Sequence, residues 1–158
     1  MKSSVYRYIA LFIVAILFQA SIVRYLEIFS WKPDLVLIIL IMFSIQSGPS
    51  LGSTAGFFAG LLTDLISGHF LGLGALSKTI AGFISGIWAK YFPEKTQFII
   101  TLAIGGFLHN IIYFFLLTIG IEFSWRSLVF VYTVPNLFYT TLVGLFINFL
   151  IRSWLKED

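Results

Sequence analysis

Two short stretches of this 158-residue chain carry residue types that can do covalent chemistry. Gly48-Pro49-Ser50-Leu51-Gly52 fits the G-x-S-x-G pattern, in which a serine on a sharp turn between strand and helix acts as a nucleophile. Gly72 to Thr79 reads GLGALSKT, one residue away from a phosphate-binding loop, with Ser77 where the second glycine belongs. Both patterns need a buried strand just before them, and neither has one. Ser50 reads better as a helix N-cap, and Lys78 as a cation near the start of a helix. The two histidines give the serine no base, since His69 falls at the opposite end of the following helix and His109 near the middle of another. The chain has no cysteine, which removes thiol nucleophiles, thiolate metal sites and disulfides. No H-E-x-x-H pair and no carboxylate dyad is present, so the sequence predicts neither a metal nor a cofactor, and no enzyme.

The remaining polar residues have a different use. Gly52, Gly56, Gly60, Asp64 and Gly68 recur every fourth residue, a stripe along which another backbone can come close, and Gly72 follows in the adjoining turn. Lys78, Gly82 and Gly86 repeat the device on the next helix. If the two stripes pack antiparallel, Asp64 and Lys78 reach similar depth and are expected to face each other, which limits the cost of burying either charge alone. The stripes can serve the packing of the chain itself, or part of one can receive a helix from another protein. His109 and Asn110 sit together in the fifth apolar run, with Gly105 and Tyr113 on the histidine's side, and Asn136 follows the helix-breaking Pro135 in the sixth. These residues are expected to line a small buried polar cavity. Within it His109 is either a neutral hydrogen-bonding partner or a member of a proton relay or ligand site.

The elements that position these groups are membrane helices. Hydrophobic residues make up 59% of the chain and charged residues 11%, against roughly 25% charged in soluble domains. Apolar runs predict helices at roughly 5–23, 34–47, 51–66, 75–92, 97–119 and 128–151, an all-α bundle of six transmembrane helices in one integral membrane domain over residues 1–158. None shows the alternation of a barrel strand. The second and third are short: fourteen residues rise only ~21 Å against a ~30 Å hydrocarbon core, so the pair sits inside the bundle, thins the bilayer or re-enters. An even number of spans puts Lys2, Arg7, Lys90, Lys95, Arg152 and Lys156 on one side and Arg24, Lys32 and Arg126 on the other, which places both termini in the cytoplasm. Lys2, Arg7 and the apolar run ending near Gln19 to Ser21 also fit a signal peptide, but a run of this length can span, and five more follow. Trp31, Trp88, Trp125 and Trp154 fall near the expected membrane boundaries, as interfacial anchors do. The formal charge of +3 is spread over loop ends, which points to the lipid bilayer as partner and away from nucleic acid.

The block Pro33-Asp34-Leu35, then Gly52-xxx-Gly56-xxx-Gly60-Leu61-xx-Asp64-xxx-Gly68-xx-Leu71-Gly72-xx-Ala75-Leu76, resembles the rod shape-determining MreD family. The specific part of the resemblance lies between about residues 33 and 76, with length, span count and charge sidedness extending it over the chain. It implies a fold similar to the substrate-binding subunits of energy-coupling-factor vitamin transporters. It also implies a non-enzymatic membrane scaffold of the bacterial cell-elongation machinery, located in the cell inner membrane, that docks the transmembrane helix of MreC. Through MreC such a protein is linked to MreB, to RodA and its transpeptidase, and so to peptidoglycan synthesis. On this reading the stripe from Gly52 to Gly68 and the turn from Leu71 to Ala75 form the framework, and Asp64 and Lys78 fix the register. The rival class is a vitamin-capturing subunit, which a polar pocket open to the outside near His69 would favour.

Overall fold

A computed structural model describes residues 2–21, 31–68, 70–120 and 124–155, with side chains described over 6–21, 31–68, 70–120 and 124–151. Arg24, His69 and Lys156, the side chains of Lys2, Arg152 and Trp154, and the last two expected residues of the first helix lie outside the described residues. The described residues hold helices and connecting turns, without strands: α1 Lys2–Ser21, α2 Leu35–Ser47, α3 Pro49–Ser67, α4 Leu73–Trp88 with a 3-10 turn Ala89–Tyr91, α5 Glu94–Leu117, α6 Trp125–Ser127, a π-helical stretch Leu128–Thr133, and α7 Val134–Leu155. The last three run together as one rod. Two segments, Glu94–Leu117 and Trp125–Ile151, are long and apolar enough to cross a bilayer by themselves.

The centre of the bundle is α2. Every residue from Val36 to Ser44 is buried, and Val36, Ile38, Leu40, Ile41 and Ser44 have no exposed surface at all. A helix apolar on all sides can be satisfied only by neighbours on all sides, and α1, α3, α4, α5 and α7 supply them. Of the short pair expected, only α2 is enclosed in the bundle; α3 runs to 19 residues and exposes Phe57, Phe58 and Leu65. Thirteen residues rise only about 20 Å, so α2 stays shorter than the helices around it. At its start, Asp34 is the N-cap rather than the first helical residue, its Oδ1 accepting the Leu37 N–H at 2.8 Å. At its end a single residue, Gly48, turns the chain straight into α3 at φ 84°, where a side chain would be strained.

The pair α3 and α4 has the closest packing in the molecule. A Cβ on Gly56 would run into the Lys78 carbonyl, one on Gly60 into the Gly74 carbonyl, and one on Gly82 into the Gly52 carbonyl. Gly86 meets Pro49 and Gly48 in the same way. The two stripes therefore fill one another, backbone against backbone. Between helices in lipid there is little hydrophobic driving force, so such close contact and satisfied polar groups must hold the pair. Gly68 and Gly72 have another role: their φ angles of 68° and 106° make the turn between the helices, and a Cβ on either would meet nothing within 4 Å. The stripe as a packing surface ends at Gly60 on α3, and its continuation is turn geometry.

Several helix ends shift from the sequence expectation for local reasons. Ser50 is not an N-cap, because Pro49 already occupies the first helical position, where its fixed φ and missing N–H suit the start. Helix α5 begins at Glu94, since the Pro93 carbonyl accepts the N–H groups of Thr96 and Gln97 and an acid in the first turn suits the helix dipole. The outer surfaces are apolar: Phe138, Phe146 and Phe149 on α7, and Phe57, Phe58 and Leu65 on α3, are all exposed. On α7 the opposite face turns Asn136, Thr140 and Gly144 inward.

Candidate functional site

The N-terminus of α2, the C-terminus of α3 and the N-terminus of α4 meet at one end of the bundle, alongside the C-terminal half of α5 and the start of α7. Between them lies a cavity of about 530 Å³ lined by Asp34, Asp64, Lys78, His109, Asn110 and Asn136, with Ile66, Phe114 and Leu117 among its apolar wall. Among the described residues the buried Asp64, Lys78 and His109 converge here, in an open notch rather than in a sealed core.

Asp34 is held by a strap, residues 31–35, in which the N–H groups of Lys32, Asp34 and Leu35 are taken by side chains from the flanking helices. Lys32 N–H donates to Asn136 Oδ1 at 2.8 Å, Asp34 N–H to Thr140 Oγ1 at 3.2 Å, and Leu35 N–H to Gln19 Oε1 at 2.9 Å. Trp31 fastens the near end of the strap: its indole N–H donates to the Val131 carbonyl at 2.9 Å. That carbonyl is available because the residue four positions on is Pro135, which has no N–H to offer. At the end of the same π-helical stretch the Thr133 carbonyl accepts from the Asn110 amide at 3.4 Å. Sequence reasoning located the break at Pro135 but not the π-helical turn before it.

So positioned, Asp34 receives the Lys78 ammonium on Oδ2 at 2.7 Å, with His109 Nε2 at 3.3 Å from the same oxygen. The expected pairing of Lys78 with Asp64 is therefore corrected: the ammonium belongs to Asp34, on a different helix. Asp64 instead accepts from the backbone N–H groups of Gly72 at 3.0 Å, Gly74 at 3.0 Å and Ala75 at 3.2 Å. The physical reason is the shortness of the connection. Few residues separate α3 from α4, so the unpaired N–H groups of α4's first turn arrive directly at Asp64, and a carboxylate satisfies them and the dipole together. Gly74 has no Cβ at the position where Asp64 Oδ1 comes closest. This is also why α4 starts at Leu73, two residues earlier than its apolar pattern indicates. Lys78 lies a turn further along α4, facing the cap of α2.

His109, Asn110 and Asn136 do share one cavity, and Lys78, Asp34 and Asp64 line it as well. The His109 ring stands 5.8 Å from that of Tyr113. Sequence reasoning missed Asp34, read only as a helix start, together with Gln19 and Thr140. Their signal was slight: single polar residues in apolar runs, placed where the strap needs acceptors. Gly52, Gly56, Gly60, Gly82 and Gly86 lie away from the cavity, between α3 and α4. No curated protein and no solved structure gives a significant match to the chain. The sequence profile of one family, described as rod shape-determining protein MreD, matches residues 3–157.

Proposed function

The chain belongs to the rod shape-determining protein MreD family, and on that premise we propose that it is a non-enzymatic, multi-pass scaffold of the cell inner membrane that docks MreC. Membership carries a role in rod-shape determination and a place in a membrane. The finer reading adds that the bundle, with both termini cytoplasmic, holds the single span of MreC and thereby acts, through MreB, RodA and its transpeptidase, on peptidoglycan synthesis.

One observation carries the choice of docking place. The glycine stripes are occupied by each other, which leaves no groove there for a foreign helix, whereas the polar cavity is roomy and opens at a bundle end. With cytoplasmic termini, that end faces outward. We therefore assign the MreC contact to the cavity and its rim, where the part of MreC just outside its span arrives. Co-purification from native membranes tests this: MreC is retained by the wild type and by a Phe146→Ala variant on the lipid-facing side, and is lost from pocket variants that still fold. Retention of MreC by every pocket variant would sink the assignment, and depletion that leaves rods unchanged would sink the role.

The same cavity supports a second reading, capture of a small molecule. A volume of about 530 Å³ with convergent polar groups falls in the range of ligand sites. The implied likeness to vitamin-binding transporter subunits belongs with this reading. Native mass spectrometry of the purified protein separates the two: a retained metabolite favours capture, and a retained single-span protein favours docking.

A further inference from the structure

The cavity contains two carboxylates, and most of their accepting capacity is already taken. Asp34 Oδ1 takes the Leu37 N–H, while its Oδ2 takes Lys78 and faces His109. Asp64 spends both oxygens on the N–H groups of Gly72, Gly74 and Ala75. A carboxylate offers about four lone-pair sites in all, so more than half of each is taken up by its own scaffold. The donors are in the opposite condition. Lys78 has three N–H bonds and gives one, to Asp34, with no other partner among the described residues, although its side chain is 94% buried against the cavity.

The amides add to this surplus, and their orientation is fixed by chemistry rather than by choice. A backbone N–H can only donate, so the atoms that receive Leu35 N–H and Lys32 N–H must be the oxygens of Gln19 and Asn136. Each NH2 group, in the lining of the cavity, then has no partner among the described residues. The Tyr113 hydroxyl, also in the lining, is a further group able to donate.

We propose that this pocket reads acceptors: the segment it receives presents a carboxylate to Lys78, and backbone carbonyls to the amide donors of Gln19 and Asn136. The inference rests on the docking reading above and names the partner's chemistry. The occupant is a membrane-proximal peptide carrying an aspartate or glutamate, in preference to a lipid headgroup. The buried Lys78 ammonium, set between amide donors on two separate helices, matches a carboxylate flanked by spaced peptide carbonyls better than a compact phosphodiester. A basic side chain entering here would meet the Lys78 ammonium, beside carboxylates whose lone pairs are largely taken.

The test uses the full chain in phosphatidylcholine nanodiscs and a synthetic peptide of the MreC stretch just outside its span, with binding followed by fluorescence anisotropy. Two variants keep the oxygen that holds the strap and remove the pocket donor: Gln19→Glu and Asn136→Asp. Melting curves first establish that each folds. Either variant is expected to weaken the wild-type peptide about tenfold or more, as is changing the peptide's acids to amides, since each removes a charge-assisted or newly repelled contact. Binding of the wild-type peptide that is indifferent to the acid-to-amide change and to both variants overturns the acceptor reading and leaves docking intact. Failure of any peptide to bind overturns docking itself. Displacement of the peptide by phosphatidylglycerol nanodiscs, with the variants abolishing that displacement, overturns the choice of a protein segment over a lipid phosphate.

Discussion

Asp34 is one residue with three duties: it caps α2, compensates Lys78 and faces His109. Removing it leaves an ammonium buried without its counterion, so Asp34→Ala is expected to cost about 3–5 kcal/mol in an equilibrium unfolding experiment in mixed micelles. The double variant Asp34→Asn with Lys78→Met removes both charges and keeps a capping oxygen, and should recover most of that loss. Full additivity of the two changes would show that the pair does not interact. The sequence made Asp34 visible as a helix start, because Pro33 and a following acid suit the first turn. It could not make Asp34 visible as the partner of Lys78, since the two are 44 positions apart and an acid nearer in sequence, Asp64, was equally available to the eye. What decided between them was the set of unpaired N–H groups on α4, a demand of backbone geometry that no side-chain spacing records.

At the scale of the elements, the α3 and α4 pair separates two uses of glycine that look alike in the sequence. Gly56 stands where a carbonyl of α4 already sits, so Gly56→Ala must push the helices apart, and Gly56→Leu should prevent the pair from forming. Gly68 stands in open space at positive φ, so Gly68→Ala should cost about 1 kcal/mol through backbone strain alone. Thermal melting of the purified variants checks the order, and a Gly68 effect as large as that of Gly56 would contradict it. The four-residue spacing was enough to identify the packing face. The point at which packing gives way to a turn was not legible, because a period continues through a bend without marking it. The π-helical stretch before α7 was hidden for a similar reason: Pro135 signals a missing donor, but which carbonyl is freed and what comes to it depends on Trp31, about a hundred positions away.

For the molecule as a whole, six helical rods and an apolar outer surface were legible from run lengths alone, and the enclosed position of α2 was one of three outcomes its length left open. Sidedness is the remaining global property, and the absence of cysteine makes it simple to measure. A single cysteine at Ser124, beside the start of α6, should react with a membrane-impermeant maleimide added to intact cells. One at Lys95, at the start of α5, should react only after the cells are opened. The reverse pattern would turn the bundle over and place the cavity toward the cytoplasm.

The brevity of α2 has an electrical consequence. Its rise of about 20 Å begins beneath the open notch, so of a ~30 Å hydrocarbon slab only about two thirds is insulated along the bundle axis. With the bundle placed across the bilayer as proposed, a voltage would then drop mainly over that enclosed apolar segment, beyond the cavity that holds Asp34, Lys78 and His109. Groups held there can meet a charged visitor without that visitor crossing much of the field.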